Sequence, residues 1–232
     1  METIWIIGIG QFGLHALRSL SSSRTDAHFV LIDPLQEQLD KGRGPNRTLH
    51  PGDGVAFVLE HLEHDRGPDW IIPAVPVHLA AEWVLGRLGP NRLRRITFSS
   101  DIEPLLPHPI RGSNGNIYVS HADFRCPDHC PEPANLCTVT QKPRQRNMFD
   151  LLGEIRLPDL EALVIRSHQL GPGVGGYRPA ALFELLSRVE NARGRLFIGT
   201  ACRCHGVLTP FERIQPARGK TSGNDETSHP AE

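Results

Sequence analysis

Ile4-Trp5-Ile6-Ile7-Gly8-Ile9-Gly10-Gln11-Phe12-Gly13 decides how the first part of this chain folds. An apolar run ends in glycines spaced G-x-G-x-x-G and passes directly into an amphipathic stretch, Phe12–Ser21. The composition predicts a strand over Thr3–Ile7 and a helix after it. In such a turn Gly8 permits the tight bend, Gly10 lets backbone approach a pyrophosphate, and Gly13 lets helix and strand pack closely. The phosphates would meet the helix N-terminus, whose free N–H groups and dipole favour negative charge. Asp33 closes a second predicted strand, His28–Ile32. A carboxylate there bonds both ribose hydroxyls and repels a 2′-phosphate, so NAD is expected over NADP.

Strand, glycine loop, helix, strand and acid together read as a dinucleotide-binding Rossmann unit. The loop, with Phe12 before its third glycine, resembles that of the nucleotide-binding domains of potassium-uptake regulators. Gly52-Asp53 resembles the place where those domains put an acid near the adenine, which adds Asp53 to the cofactor set. The resemblance covers residues 1–100 and implies nucleotide binding there. No regulator ligand-binding domain is recognisable beyond it.

Apolar runs continue to alternate with amphipathic stretches, as in a mostly parallel sheet covered by helices. Further strands are expected at Arg47–Leu49, Trp70–Ala74, Arg95–Ser99, Asn116–Ser120, Leu160–Arg166 and Arg195–Ile198, and helices at Val55–His64, Val77–Leu88 and Pro179–Asn191. The expected architecture is α/β and Rossmann-like. Residues 1–100 form the nucleotide unit, and 101–214 continue the sheet with a cysteine-rich loop, 122–147, inserted at the strand C-terminal edge. Residues 100–115 read as a crossing loop. From Gln215 the chain is Gly, Ser, Pro and charged residues, so 215–232 is expected to be a disordered tail.

The five cysteines of the 232-residue chain are grouped. Cys126, Cys130 and Cys137 fall in one loop with His129, and Cys202 and Cys204 fall in a second with His205. An odd number of thiols outside apolar runs points to metal or redox chemistry rather than a disulfide framework. Thiolate and imidazole ligate zinc and iron–sulfur clusters, and both need about four ligands from pinned loops. The spacing C-x3-C-x6-C with C-x-C-H matches no common zinc-finger or ferredoxin signature. Loop 122–147 lacks apolar periodicity and cannot build its own core, so a bound group is expected to hold it.

A second glycine run, Gly171-Pro172-Gly173-Val174-Gly175-Gly176, follows the strand ending at Arg166. A flexible lid, a close backbone approach to a ligand, a phosphate cradle and an ordinary turn all fit it. His168 beside it is a candidate proton-transfer group. If the strands are parallel, both glycine loops and both cysteine groups converge on one sheet edge, where open α/β folds bind ligands.

A net charge of −1 with interspersed signs argues against nucleic acid. The apolar stretch Ile71–Leu88 carries prolines and charges unsuited to a bilayer, and the N-terminus begins with a strand rather than a signal peptide. A cytoplasmic protein without membrane insertion is expected, with homo-oligomerisation open. The reading is an NAD-binding oxidoreductase with a cysteine-ligated zinc or iron–sulfur centre acting on an unidentified small molecule. The alternative is a non-enzymatic nucleotide, redox or metal sensor.

Overall fold

The structure, a computed structural model, describes residues 1–112 and 114–214; the expected tail lies outside them. Strands β1 (Thr3–Ile7), β2 (His28–Asp33), β3 (Arg47–Pro51) and β4 (Trp70–Pro73) form a parallel sheet in the order β3-β2-β1-β4. Helices α1 (Gln11–Ser23), α2 (Gln36–Lys41), α3 (Gly54–His61) and α4 (Leu79–Leu88) accompany it. Both faces of this sheet are covered, and β1 shows it residue by residue. Ile4 and Ile6 join the core under α1, while Trp5 and Ile7 join the central core with α3 and α4.

The second sheet departs from the expected parallel continuation. It contains β5 (Leu93–Arg95), β6 (Ile110–Arg111), β7 (Ile117–Ser120), β8 (Leu160–Arg166), β11 (Gly194–Ala201) and β12 (His205–Arg213). The order is β6-β7-β12-β11-β8, with β5 also on β12, and only β8 and β11 pair in parallel. The sequence reading omitted β12 because Gly206 and Pro210 interrupt it. Pro210 is tolerated by position. Its carbonyl accepts from Ile96 on the side where β7 ends at Leu208 and β5 begins at Phe211. Its nitrogen faces that same gap, so no ladder bond is lost. Residues 100–115, expected as loop, contain a 3-10 helix (Ser100–Leu105) and β6.

Helix α6 (Pro179–Asn191) packs with α4 between the sheets, and α5 (Met148–Gly153) lies on the outer face of the second one. Leu163, Ile165, Leu196 and Ile198 point inward to the central core, whereas Phe197 and Ala201 join α5. The second glycine run is a hairpin, β9 (His168–Gly171) with β10 (Val174–Gly176). Tyr177, just after it, exchanges two backbone hydrogen bonds with Ile71 of β4. The later half of the chain thus returns to the edge of the first sheet. Among the described residues no helix is long and apolar enough to cross a membrane.

A buried polar chain crosses the junction of α4 with the second sheet. Thr209 donates its single proton to Asn116 Oδ1 at 2.8 Å, so it accepts from His78 Nδ1, also at 2.8 Å. Nε2 is then the acceptor for the Thr200 hydroxyl at 2.8 Å. Burial, reinforced by Arg95, pushes the His78 pKa down to about 3.

Two stability predictions follow from this packing. A Cβ on Gly13 would sit 1.9 Å from the Gly8 carbonyl oxygen, between α1 and β1. Gly13→Ala should cost about 1–3 kcal/mol, read as a lower urea midpoint. His78 is neutral in the folded state, while the unfolded imidazole takes up a proton near its ordinary pKa of 6.5. Its contribution is therefore complete above that value and declines as pH falls toward about 3. Denaturation midpoints should show a loss approaching ~1.4 kcal/mol per pH unit in that window, and His78→Gln should flatten the slope.

Candidate functional site

The first glycine loop leaves the C-terminal end of β1. Gly8 has φ +93°, and a Cβ there would lie 2.7 Å from the Ala74 carbonyl oxygen. Gly10 precedes α1 and differs from both other glycines: a Cβ on it would meet nothing within 4 Å. No side chain caps α1, so its first-turn N–H groups are left to another partner. Asp33 is 7% exposed and ties this loop to β2. Its Oδ2 accepts the Ile9 N–H at 2.7 Å and its Oδ1 accepts the Leu35 N–H at 2.9 Å. Each oxygen keeps a lone pair. Asp53 caps α3 by accepting from the Ala56 N–H at 2.8 Å, a structural role that suffices to explain it.

Strands β7, β8 and β11 run in one direction, because β7 and β11 are both antiparallel to β12 and β8 is parallel to β11. Their C-terminal ends share an edge, and both cysteine groups leave from it. The first group, between β7 and α5, folds on itself: Cys137 N–H donates to the Lys142 carbonyl and Arg144 N–H to that of Asn135, at 2.9 and 2.8 Å. The Arg144 guanidinium also binds the Pro133 and Ala134 carbonyls.

Polar pins attach this loop to its surroundings. His121 N–H donates to the Cys204 carbonyl at 2.9 Å, Arg203 N–H donates to Glu132, and Arg144 Nη2 donates to Cys204 Sγ at 3.0 Å. On the other flank the β9–β10 hairpin grips Cys130, whose carbonyl accepts from Gly173 N–H at 2.9 Å and Gln169 Nε2 at 2.8 Å. Gly173 has φ +70°, and a Cβ on it would fall 1.7 Å from the Asp128 carbonyl oxygen. Of the options open for the second glycine run, the structure shows a turn, that of the β9–β10 hairpin, whose backbone closely approaches the cysteine loop of the same chain. The hairpin tip also meets α1, where His15 Nε2 lies 2.9 Å from the Pro172 carbonyl.

These contacts enclose a cavity of about 1130 Å³ lined by all five cysteines, His205, His121, Glu132, Arg144 and, from the start of α1, Phe12. A smaller cavity of about 350 Å³ lies at the end of β4, and the two share Ser167, Cys202 and His205 in their walls. Burial raises the Cys126 thiol, with Cys130, Cys204 and Cys137 adding to it. Cys137 is lowered, first by the Thr140 N–H, then by the Thr140 hydroxyl and the Val139 N–H. Burial and then Glu132 push Cys202 up to about 12. Burial raises Cys204 against the opposing Arg144, and lowers His205 and His121. His121 Nε2 is buried without a hydrogen-bond partner.

The structure thus brings Cys126, Cys130, Cys137, Cys202, Cys204 and His205 together. His129 is exposed and outside the cavity lining. His168 is also exposed and away from the lining, packed edge-on against Trp70 with ring centroids 5.8 Å apart. Among the described residues no three His, Cys, Asp or Glu side chains converge closely enough to hold a metal ion as they stand. Arg144, Glu132, Gln169 and His121 were not read as site residues. Only Arg144 had a signal, in the sparse basic run Lys142, Arg144 and Arg146.

A family model, AF_1314_C, described as an uncharacterized protein, C-terminal domain, matches residues 80–214, more than half of the chain. The chain belongs to this family. The AF_1314_C match begins within α4 and takes in both cysteine groups and the β9–β10 hairpin, but not the first glycine loop. An Archaeoglobus fulgidus protein, itself described as uncharacterized, is 30% identical over 233 residues, covering 90% of this chain and 98% of its own length. That coverage requires it to match most of both halves. No solved structure matches the chain.

The hairpin's grip on the cysteine loop is testable. Gly173→Ala should displace Asp128 and Cys130 and speed tryptic cleavage at Arg125 or Arg146. A local cost of about 1–2 kcal/mol corresponds to roughly 5–30-fold in the open population. The global urea midpoint should move less.

Proposed function

We propose that this protein binds NAD at the first glycine loop and carries a cysteine-ligated metal centre beside it, as an oxidoreductase on a small molecule. On this reading the parallel sheet is a Rossmann-like unit and the cysteine-rich loop an insertion at its ligand-binding edge. The order β3-β2-β1-β4 supports it, matching the first four strands of the doubly wound order that binds dinucleotides beyond its strand ends. The observation that carries it is the shared cavity, which joins the uncapped start of α1 at Phe12 to every thiol of the chain.

The donor set fits a thiophilic metal by chemistry: five thiols and three imidazoles line one cavity, although closure onto a single ion requires side-chain movement. Zinc there would polarise a carbonyl, and an iron–sulfur cluster would exchange single electrons. NAD would accept or deliver a hydride. The chain's own groups do the rest. Gly10 leaves room for the pyrophosphate, Asp33 keeps lone pairs for the ribose, and Phe12 shields the space between α1 and the thiols. His121, neutral and with Nε2 unpartnered, is better placed than His168 to take up a proton in the cavity.

The contact chain from α1 through Pro172 and Gly173 to Cys130 favours a second reading, a sensor in which nucleotide binding and thiol state influence each other. The two readings differ in turnover: a sensor changes NAD affinity with metal content but oxidises no substrate.

Gly10→Val is the test of the nucleotide site. A Cβ there meets nothing within 4 Å, so the variant should still fold, as checked by circular dichroism, while losing calorimetrically measured NAD affinity. Wild type should prefer NAD to NADP. Metal-replete wild type without NAD affinity, or Gly10→Val binding as wild type does, would overturn the proposal.

A further inference from the structure

The smaller cavity, of about 350 Å³, borders both features described above. Part of its wall is the chain leaving β4, and Val75 there also touches the first glycine loop: a Cβ on Gly8 would meet Val75 Cγ1 at 3.0 Å. Another part, Ser167, Cys202 and His205, is shared with the thiol cavity. The volume falls within the range of small-molecule sites, which combine an apolar lining with a few placed polar groups.

The lining separates ligand classes. Much of it is apolar, and no Asp, Glu, Lys or Arg contributes. The His78 imidazole has both nitrogens committed, to Thr209 and Thr200 at 2.8 Å each. Tyr177 is different. It lines the cavity, is 1% exposed, and its hydroxyl is buried without a hydrogen-bond partner. Two backbone hydrogen bonds to Ile71 and the packing of the central core hold the residue in place. A buried phenol left unpaired is costly, and an acceptor on a bound molecule would satisfy its proton.

The start of α4 supplies further donors. No side chain caps this ten-residue helix, and Leu79 and Ala80 of its first turn line the cavity. Glu82, the acid of that turn, is engaged with Arg95 at 2.7 Å and lies outside the lining. First-turn N–H groups and the positive end of the helix dipole favour an oxygen carrying partial negative charge. A full negative charge is disfavoured: with no cation in the lining, its desolvation outweighs what one helix end returns.

We infer that this cavity binds a small uncharged carbonyl compound with an apolar body, its oxygen directed to the Tyr177 hydroxyl and the start of α4. As a binding site it stands on the cavity alone. As the substrate site of the oxidoreductase it rests on the reading above and names that reading's substrate class. Its position between the first glycine loop and the thiols suits the role.

The test titrates the full chain with cycloalkanones from cyclopentanone to cyclooctanone, each beside the carboxylate of the same ring, by ligand-observed NMR with and without NAD. Wild type should bind at least one ketone, and prefer it to its carboxylate by about 10-fold or more. Tyr177→Phe deletes a hydroxyl that has no partner, so its urea midpoint should equal or exceed that of wild type, while ketone affinity falls roughly 3–10-fold. Val207→Trp, at the half-buried wall, should fill the cavity and abolish binding, with circular dichroism confirming the fold. Wild type that binds none of the ketones, a preference for carboxylates, or undiminished binding in both variants would overturn the inference. Ketone binding without NAD affinity would keep the site and remove the oxidoreductase reading. NAD affinity without ketone binding would do the reverse.

Discussion

The four-residue turn Cys202–His205 holds the cysteine-rich segment of this molecule in register. Cys204 binds His121 at the start of the cysteine loop through its carbonyl, and Arg203 binds Glu132 in the middle. The carbonyls of Arg203 and Cys202 receive Met148 and Phe149 at the start of α5. One tight reversal thus ties both ends and the centre of a long coreless segment. The reversal exists because β12 folds back antiparallel on β11 rather than crossing over to continue a parallel sheet.

Backbone hydrogen bonds alone leave that segment expensive to order. Fixing residues 122–147 costs on the order of 25 kcal/mol at roughly 1 kcal/mol per residue. The hydrogen bonds within the loop and to its neighbours return about 1 kcal/mol each. A group bound at the thiols, as proposed above, would add to that return, and its loading would then be linked to the ordering of the loop.

The β9–β10 hairpin connects the cysteine loop to the helix that follows the first glycine loop. It touches α1 through Pro172, β4 through Tyr177 and the cysteine loop through Gly173, so a shift in any one is felt by the other two. Apart from the His15 side chain on Pro172, these contacts are backbone-to-backbone or involve glycine. They depend on closeness of approach rather than on side-chain chemistry, which is why Gly173 tolerates no Cβ while Gly10, facing open space, would accept one.

Much was legible in the chain itself. Thr3–Ile7 and Leu160–Arg166 are strands with the bounds their apolar runs imply, and Pro179–Asn191 is a helix with proline at its first position. The glycine spacing after β1 placed Gly8 and Gly13 where backbone must pass close to backbone, and clustering alone separated the cysteines from core thiols. Local sequence carries such information because capping, periodicity and glycine freedom act over a few residues. Tertiary structure alone decided the rest. Pro210 can occupy β12 only because β7 and β5 leave a gap beside it, and Gly173 is required only because Asp128 lies against it. Cys204 meets Arg144, and Arg203 meets Glu132, only because the fold brings residues some sixty to seventy positions earlier to one turn. Those distinctions depend on which distant groups are brought within hydrogen-bonding distance, and no local spacing encodes that.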